Sequence, residues 1–156
     1  MGSSGSKLKE YWRAQGLPLA PPAAQEDIRA FEAKHGIAFP SSFKEYLSAV
    51  NGMIQVGDAS EDKEGFSFWQ LRGMKSLVRV EKEDGVSSVS VDPEKYFVFS
   101  DYFQWSWAYA INVDPTSPVW GQVIHIGTLT PNVVAASFDE FVDLYIANSK
   151  MLYPPQ

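Results

Sequence analysis

Between Ile28 and Gly52 the chain reads IRAFEAKHGIAFPSSFKEYLSAVNG, and this stretch leaves few folding options. Ile28, Phe31 and His35 fall on one stripe of a 3.6-residue period, which predicts a helix over 26–35. Gly36 follows where a helix closes its last carbonyls with a left-handed residue. Pro40 forces Phe39 into extended chain. A second helix over 42–50 carries Phe43, Tyr46, Leu47 and Val50 on one side, with Asn51-Gly52 to stop it. Ser41 or Ser42 is placed to cap this helix, and Glu45 stands three residues beyond Ser42, the spacing of a capping box. Two short helices with one apolar face each are not stable alone in water. They need a sheet to cover.

The sheet is legible further along. Met53–Val56 is a short strand-like run, and Gly57–Gly65 a charged loop. Phe66–Leu71 carries large apolar groups on both faces, so Trp69 reads either as a core residue or as an exposed aromatic. Met74 and Leu77-Val78 fit a helical turn or a short strand, and Lys82–Asp92 a surface loop. Three apolar runs follow, 96–99, 107–113 and 119–126, the last two separated by the turn residues Asp114-Pro115-Thr116-Ser117-Pro118. After a last short run at 133–136, Ser137 caps a helix over 138–148 with Glu140 three residues on. Phe138, Phe141, Val142 and Tyr145 form its packing stripe. Short connections make antiparallel pairing the natural choice. The expected fold is α+β: a single twisted, mainly antiparallel sheet of five or six strands, covered by the N-terminal paired helices and the C-terminal helix.

With 156 residues, 45% of them apolar and 14% aromatic, the chain suits one domain and not a disordered one. Three parts are expected: a segment 1–24 with a helix near 7–15 docked through Trp12, a domain 25–149, and a tail 150–156. Cysteine is absent, so disulfides and thiolate chemistry are excluded. MGSSGSKLKEYW has no apolar core of a signal peptide, and the run from Tyr102 to Val113 is too short for a bilayer. A cytoplasmic protein without membrane association is the expectation.

Charge is unevenly spread. Residues 1–79 hold ten Lys or Arg and nine Asp or Glu, whereas 80–149 hold two and ten, and no Lys or Arg occurs from Tyr96 to Ser149. Phosphate binding relies on Lys and Arg, so nucleic acid is not the expected partner. Arg72, Lys75 and Arg79 near Trp69 make a poor funnel between acidic runs. Catalytic chemistry is equally sparse. His35 and His125 are the two histidines, each with an ordinary structural role available, and no nucleophile elbow, phosphate loop or metal-binding helix motif occurs. No catalytic residue, metal or cofactor is assigned. A metal site would require His35, His125 and Asp101 to converge, and a pair of carboxylates leaves a hydrolase as the minor alternative.

Glu32, Gly36, Phe39-Pro40, Phe43, Tyr46-Leu47 and Asn51-Gly52 together resemble the signature of the SMI1/KNR4, or SUKH, superfamily. Phe97–Tyr102 followed by Trp107–Ile111 is similar to that family's central hairpin, and Ala136–Phe141 to its closing strand-to-helix step. Gln104-Trp105 departs from the glycines many relatives carry at the hairpin tip. The resemblance implies a largely non-enzymatic α+β scaffold for protein contacts. Bacterial members resemble immunity proteins that bind and block a cognate toxin, while eukaryotic relatives act as regulatory or scaffold modules.

An interface can be placed from the residues themselves. Tyr102, Phe103, Trp105 and Trp107 crowd the hairpin tip beside Asp101, and Glu83 and Asp84 lie in an acidic loop upstream. Aromatic anchors beside acids suit a protein interface. These seven residues are the expected partner-binding set, and a basic protein, such as a nuclease-type toxin domain, the expected partner. In the competing reading, Trp105 and Trp107 are core residues and the acids serve solubility.

Overall fold

The computed structural model describes residues 3–54, 61–84, 91–103, 105–127 and 132–153, the Asp84 side chain excepted. Among the described residues, five α-helices accompany one open, antiparallel sheet. Helix α1 (Ser4–Ala14) is capped by the Ser3 hydroxyl, which accepts from the Ser6 amide. Helix α2 (Gln25–His35) stops at Gly36, whose φ of 65° is the left-handed conformation expected there. Helix α3 (Ser41–Ala49) begins one residue earlier than its serines suggest. Pro40 is its N-cap, so both serines fall inside the first turn and the Ser42–Glu45 box does not form. The cause lies in Pro40, whose backbone carbonyl already accepts from Phe43 and Lys44. Glu45 turns instead to the N-terminus, where it accepts from the Gly5 amide at 3.2 Å.

Strands β1 (Phe66–Phe68) and β2 (Lys75–Ser76) pair with successive parts of β3 (Tyr96–Tyr102). The order then runs through β4 (Trp107–Asn112) and β5 (Val123–Ile126) to β6 (Asn132–Ala135). Met53 contributes only an isolated bridge to Leu19 in place of a strand, and residues 55 and 56 of that expected run lie outside the described residues. The expected strand at 66–71 ends at Phe68, because Leu71 enters a short 3-10 turn. Val119 and Trp120 belong to the turn before β5 and stay half-exposed. Helix α5 (Phe138–Ile146) has the cap expected, with the Ser137 hydroxyl accepting from the Glu140 amide.

Both faces of the sheet are covered, by different means. On one face Phe43, Leu47, Phe99, Ile111, Phe138 and Phe141 are buried in a single aromatic-rich cluster with Leu8 and Trp12 of α1. Phe43 meets Phe138 and Phe99 edge-on at 4.9 and 5.6 Å, the geometry that aligns ring edges with ring faces. Phe31 is only partly buried there, packed against the rim of the cluster. The opposite face holds Val98, Ala108, Ala110, Ile124 and Ile126, closed over by Leu77 and Val80 of α4 (Leu77–Asp84). That helix runs into the expected loop 82–92, of which residues 85–90 lie outside the described residues. Its two apolar side chains bury on the sheet, and an Arg79–Glu83 pair one turn apart supports the exposed side.

α1 is tied to the rest by a buried polar chain. The Trp12 indole N–H donates to the Tyr145 hydroxyl at 2.9 Å, and that hydroxyl donates to Asp62. The other Asp62 oxygen accepts from the backbone amides of Glu64, Gly65 and Phe66 at 2.8–2.9 Å, fixing the entry to β1. A single hydroxyl thus joins helices at both ends of the chain to the first strand. Tyr145→Phe orphans the indole N–H and removes one donor from a buried carboxylate. The expected cost is about 1–3 kcal/mol in urea unfolding. A change below about 0.5 kcal/mol would show that the chain of bonds does not hold α1 in place.

Candidate functional site at the hairpin tip

Strand β3 is regular from Phe97, opposite Ile111, to Val98, opposite Ala110. It then shifts by one residue, so that Ser100 faces Tyr109, Asp101 faces Ala108 and Tyr102 faces Trp107. Phe99 is the extra residue of a β-bulge. Side chains in a strand alternate with period two, so one added residue moves every later side chain to the other face. Without the bulge Asp101 would point into the aromatic cluster. With it, Asp101 lies on the α4-covered face beside Ala108, and Tyr102 joins the aromatic side.

Asp101 is 8% exposed, and each of its carboxylate oxygens accepts one hydrogen bond. One carboxylate oxygen accepts from the Trp69 indole N–H at 2.6 Å, the other from the Trp105 backbone amide at 3.4 Å. Burial raises its pKa above the usual carboxylate range, the two hydrogen bonds oppose that shift, and the nearby Glu61 charge reinforces it. The bond to the Trp105 amide folds the turn back on its own strand. Phe103 and Trp105 take left-handed backbone conformations, with φ of 49° and 68°. Such residues cost roughly 1 kcal/mol or more each when they are not glycine. Further bonds hold the turn in shape, from the Phe103 amide to the Gly65 carbonyl at 2.8 Å and from the Ser106 amide to the Tyr102 carbonyl at 3.0 Å.

The outcome is a rigid aromatic display. Phe103 is 63% exposed and Trp105 37% exposed. Behind Phe103, Tyr102 and Trp107 stack at 4.5 Å, with Tyr153 edge-on to both. Behind Trp105 stands Trp69, with ring centres 5.2 Å apart and planes at 52°. The aromatics expected at the tip therefore divide: Phe103 and Trp105 are presented, while Tyr102 and Trp107 are half-buried support. Trp69 joins them from β1's end, a neighbour that sequence separation hides. Glu83 lies elsewhere. It pairs with Arg79 at 2.8 Å and Lys75 at 3.2 Å, which hold its carboxyl below the usual range, and Lys75 faces Val98, four residues along β3 from Tyr102. The Asp84 side chain lies outside the described residues, as does Gln104.

The two histidines are far from forming a site with Asp101. His35 packs on the rings of Phe31 and Phe97 at 4.4 and 5.1 Å, away from the tip. His125, on β5 opposite Tyr109, lies between the rings of Trp107 and Tyr109, each at 5.5 Å. Among the described residues no three metal-ligating side chains gather, and no helix is long and apolar enough to cross a membrane.

His125 is 2% exposed, and burial, opposed only in part by a hydrogen bond to its own backbone, depresses its pKa to about 4 from an ordinary 6.5. A histidine with a depressed pKa binds its proton more weakly when folded. Stability is therefore complete above pH 6.5 and falls as the pH drops toward 4, by about 3 kcal/mol if this residue acts alone. His125→Leu should flatten that part of the pH–stability curve measured by chemical unfolding. An unchanged slope would place the acid sensitivity in other groups.

The family model of SMI1/KNR4 (SUKH-1) matches residues 22–144, from the approach to α2 into α5 and across the whole tip. Helix α1 lies before the matched span. No curated protein matches the chain.

Proposed function

Because the chain belongs to the SMI1/KNR4 family (SUKH-1), we propose that it works by binding another protein, as an immunity protein that occupies and neutralises a cognate bacterial toxin. Membership supports a protein-interaction role. The observation that carries the placement of the interface is the pair Phe103 and Trp105, held outward on left-handed backbone by bonds from their own strand and from Gly65.

Exposed aromatics on a rigid base make strong interface anchors, because little side-chain freedom is lost when they bind. Tyr102, Trp107 and Trp69 keep them from collapsing onto the protein's own surface. Glu61 and Glu64, with Lys63 between them, precede the Gly65 carbonyl that accepts from Phe103, and no Lys or Arg occurs from Tyr96 to Ser149. A basic partner, such as a nuclease-type toxin domain, suits that surface by charge. Asp101 acts from beneath, by shaping the turn. Glu83, bound to Lys75 and Arg79, lies outside the proposed contact.

The test is a titration of the purified protein against any toxin domain that the adjacent gene encodes, with protection of toxin-expressing cells scored in parallel. Phe103→Ala combined with Trp105→Ala should weaken binding by about a hundredfold or more and abolish protection, with a thermal midpoint close to the parent's. Full affinity in that double variant would remove the tip from the interface. A parent protein that neither binds nor protects would end the immunity reading.

A further inference from the structure

Asn51 and Gly52 are not needed to stop helix α3. The helix has already ended at Val50, which is extended with φ of −153° and ψ of 123°. Gly52 nevertheless takes the left-handed conformation, with φ of 71°, and is buried. A Cβ on it would stand 2.6 Å from the Trp69 carbonyl oxygen and 2.9 Å from the Gln70 nitrogen. The chain at Gly52 therefore lies flat against the Trp69–Gln70 peptide, closer than any side chain permits. Flanking bonds extend the contact. The Met53 amide donates to the Phe68 carbonyl at 2.9 Å, and the Leu71 amide donates to the Asn51 side-chain oxygen at 2.8 Å.

Residues 51–53 thus hold 68–71 at successive points along the chain. From the other side, the Trp69 amide donates to the carbonyl of Phe99, the bulge residue, at 2.8 Å. The Trp69 backbone is pinned between the exit of α3 and β3. Its ring reaches from there to the tip, where it meets the Asp101 carboxylate at 2.6 Å and the Trp105 ring at 5.2 Å. We propose that Asn51 and Gly52 are positioning residues of the tip. They fix the Trp69 backbone, and the Trp69 ring sets the direction in which Trp105 is presented. A side chain at position 52 requires the two chains to separate by about 0.8 Å before ordinary contact at 3.4 Å is restored. A displacement of that size is enough to break the short indole bond to Asp101 and to withdraw the ring that backs Trp105. The proposal rests on the protein-binding reading only in treating the tip as an interface, and its test needs no partner.

NMR of the indole N–H groups separates positioning from general loosening, because the tryptophans bond in different places. Gly52→Ala should shift the Trp69 and Trp105 signals and speed solvent exchange of the Trp69 indole proton by about tenfold or more. Trp12, bonded to Tyr145, and Trp120, bonded to the Ala38 carbonyl, should keep their signals. Asn51→Ala should give the same pattern. Asn51→Asp, which keeps an acceptor for the Leu71 amide, should restore the parent's signals at the tip. Where Gly52→Ala does not fold, the Asn51 pair and the parent's Leu71 amide decide. Unmoved Trp69 and Trp105 signals in the folded variants would overturn the proposal, as would equal shifts of Trp12 and Trp120 alongside them. An Asn51→Asp spectrum matching that of Asn51→Ala would also overturn it, and so would fast exchange of the Leu71 amide in the parent. The expected spectra in a protein that binds no partner would end the docking reading and leave the positioning of Trp105 standing.

Discussion

Alternation in strand β3 is the constraint on which the rest of this structure depends. The strand is buried on both faces, with Phe97 and Phe99 against the helices and Val98 against α4, so every residue must point to a particular side. A pleated strand offers no intermediate direction. The bulge at Phe99 is the one place where the alternation is broken. Its position decides that an aspartate leaves the aromatic core and that a tyrosine enters it. Burying a lone carboxylate among phenyl rings would cost several kcal/mol. The same shift gives that carboxylate two donors and makes it the clamp of the hairpin turn.

Fold and site are therefore one construction. The helices α1, α3 and α5 lie over the face that carries Phe99, Tyr109 and Ile111, and they fix β3 and β4 as a stiff base. The Trp12–Tyr145–Asp62 chain holds the loop into β1, and that loop supplies the Gly65 carbonyl that receives Phe103's amide. Left-handed phenylalanine and tryptophan persist only where the surroundings outweigh their strain. Here the surroundings are a sheet, a buried carboxylate and a polar chain reaching the N-terminal helix.

Much of this was legible from residue order. Helices α2, α3 and α5 show their apolar stripes, and Gly36 and Ser137 mark a stop and a start by local chemistry alone. Local chemistry also misled. Ser42 and Glu45 have capping-box spacing, but Pro40 starts the helix early and leaves no cap to make. Helix α4 was read only as a helical turn or a short strand at Leu77-Val78, because its apolar pair, Leu77 and Val80, gains meaning only from a second sheet face that needs cover. At the tip, sequence identified the aromatics but not their division into presented and supporting residues. That division follows from the bulge, which leaves no mark in composition, and from Trp69, which arrives from another strand. Glu83 fell away for a similar reason, since only the pairing of β2 with β3 shows how far along the strand it sits.

The central claim is that the clamped hairpin tip is the surface this SUKH-1 domain offers to its partner. Amide hydrogen exchange of the protein, alone and saturated with a protein partner that it binds, addresses it directly. The account predicts added protection in 101–107 and in 61–69, where the Gly65 loop and Trp69 adjoin the tip, with little change in α2 or α4. Protection concentrated on α2 or α4, with the tip exchanging as it does in the free protein, would contradict it.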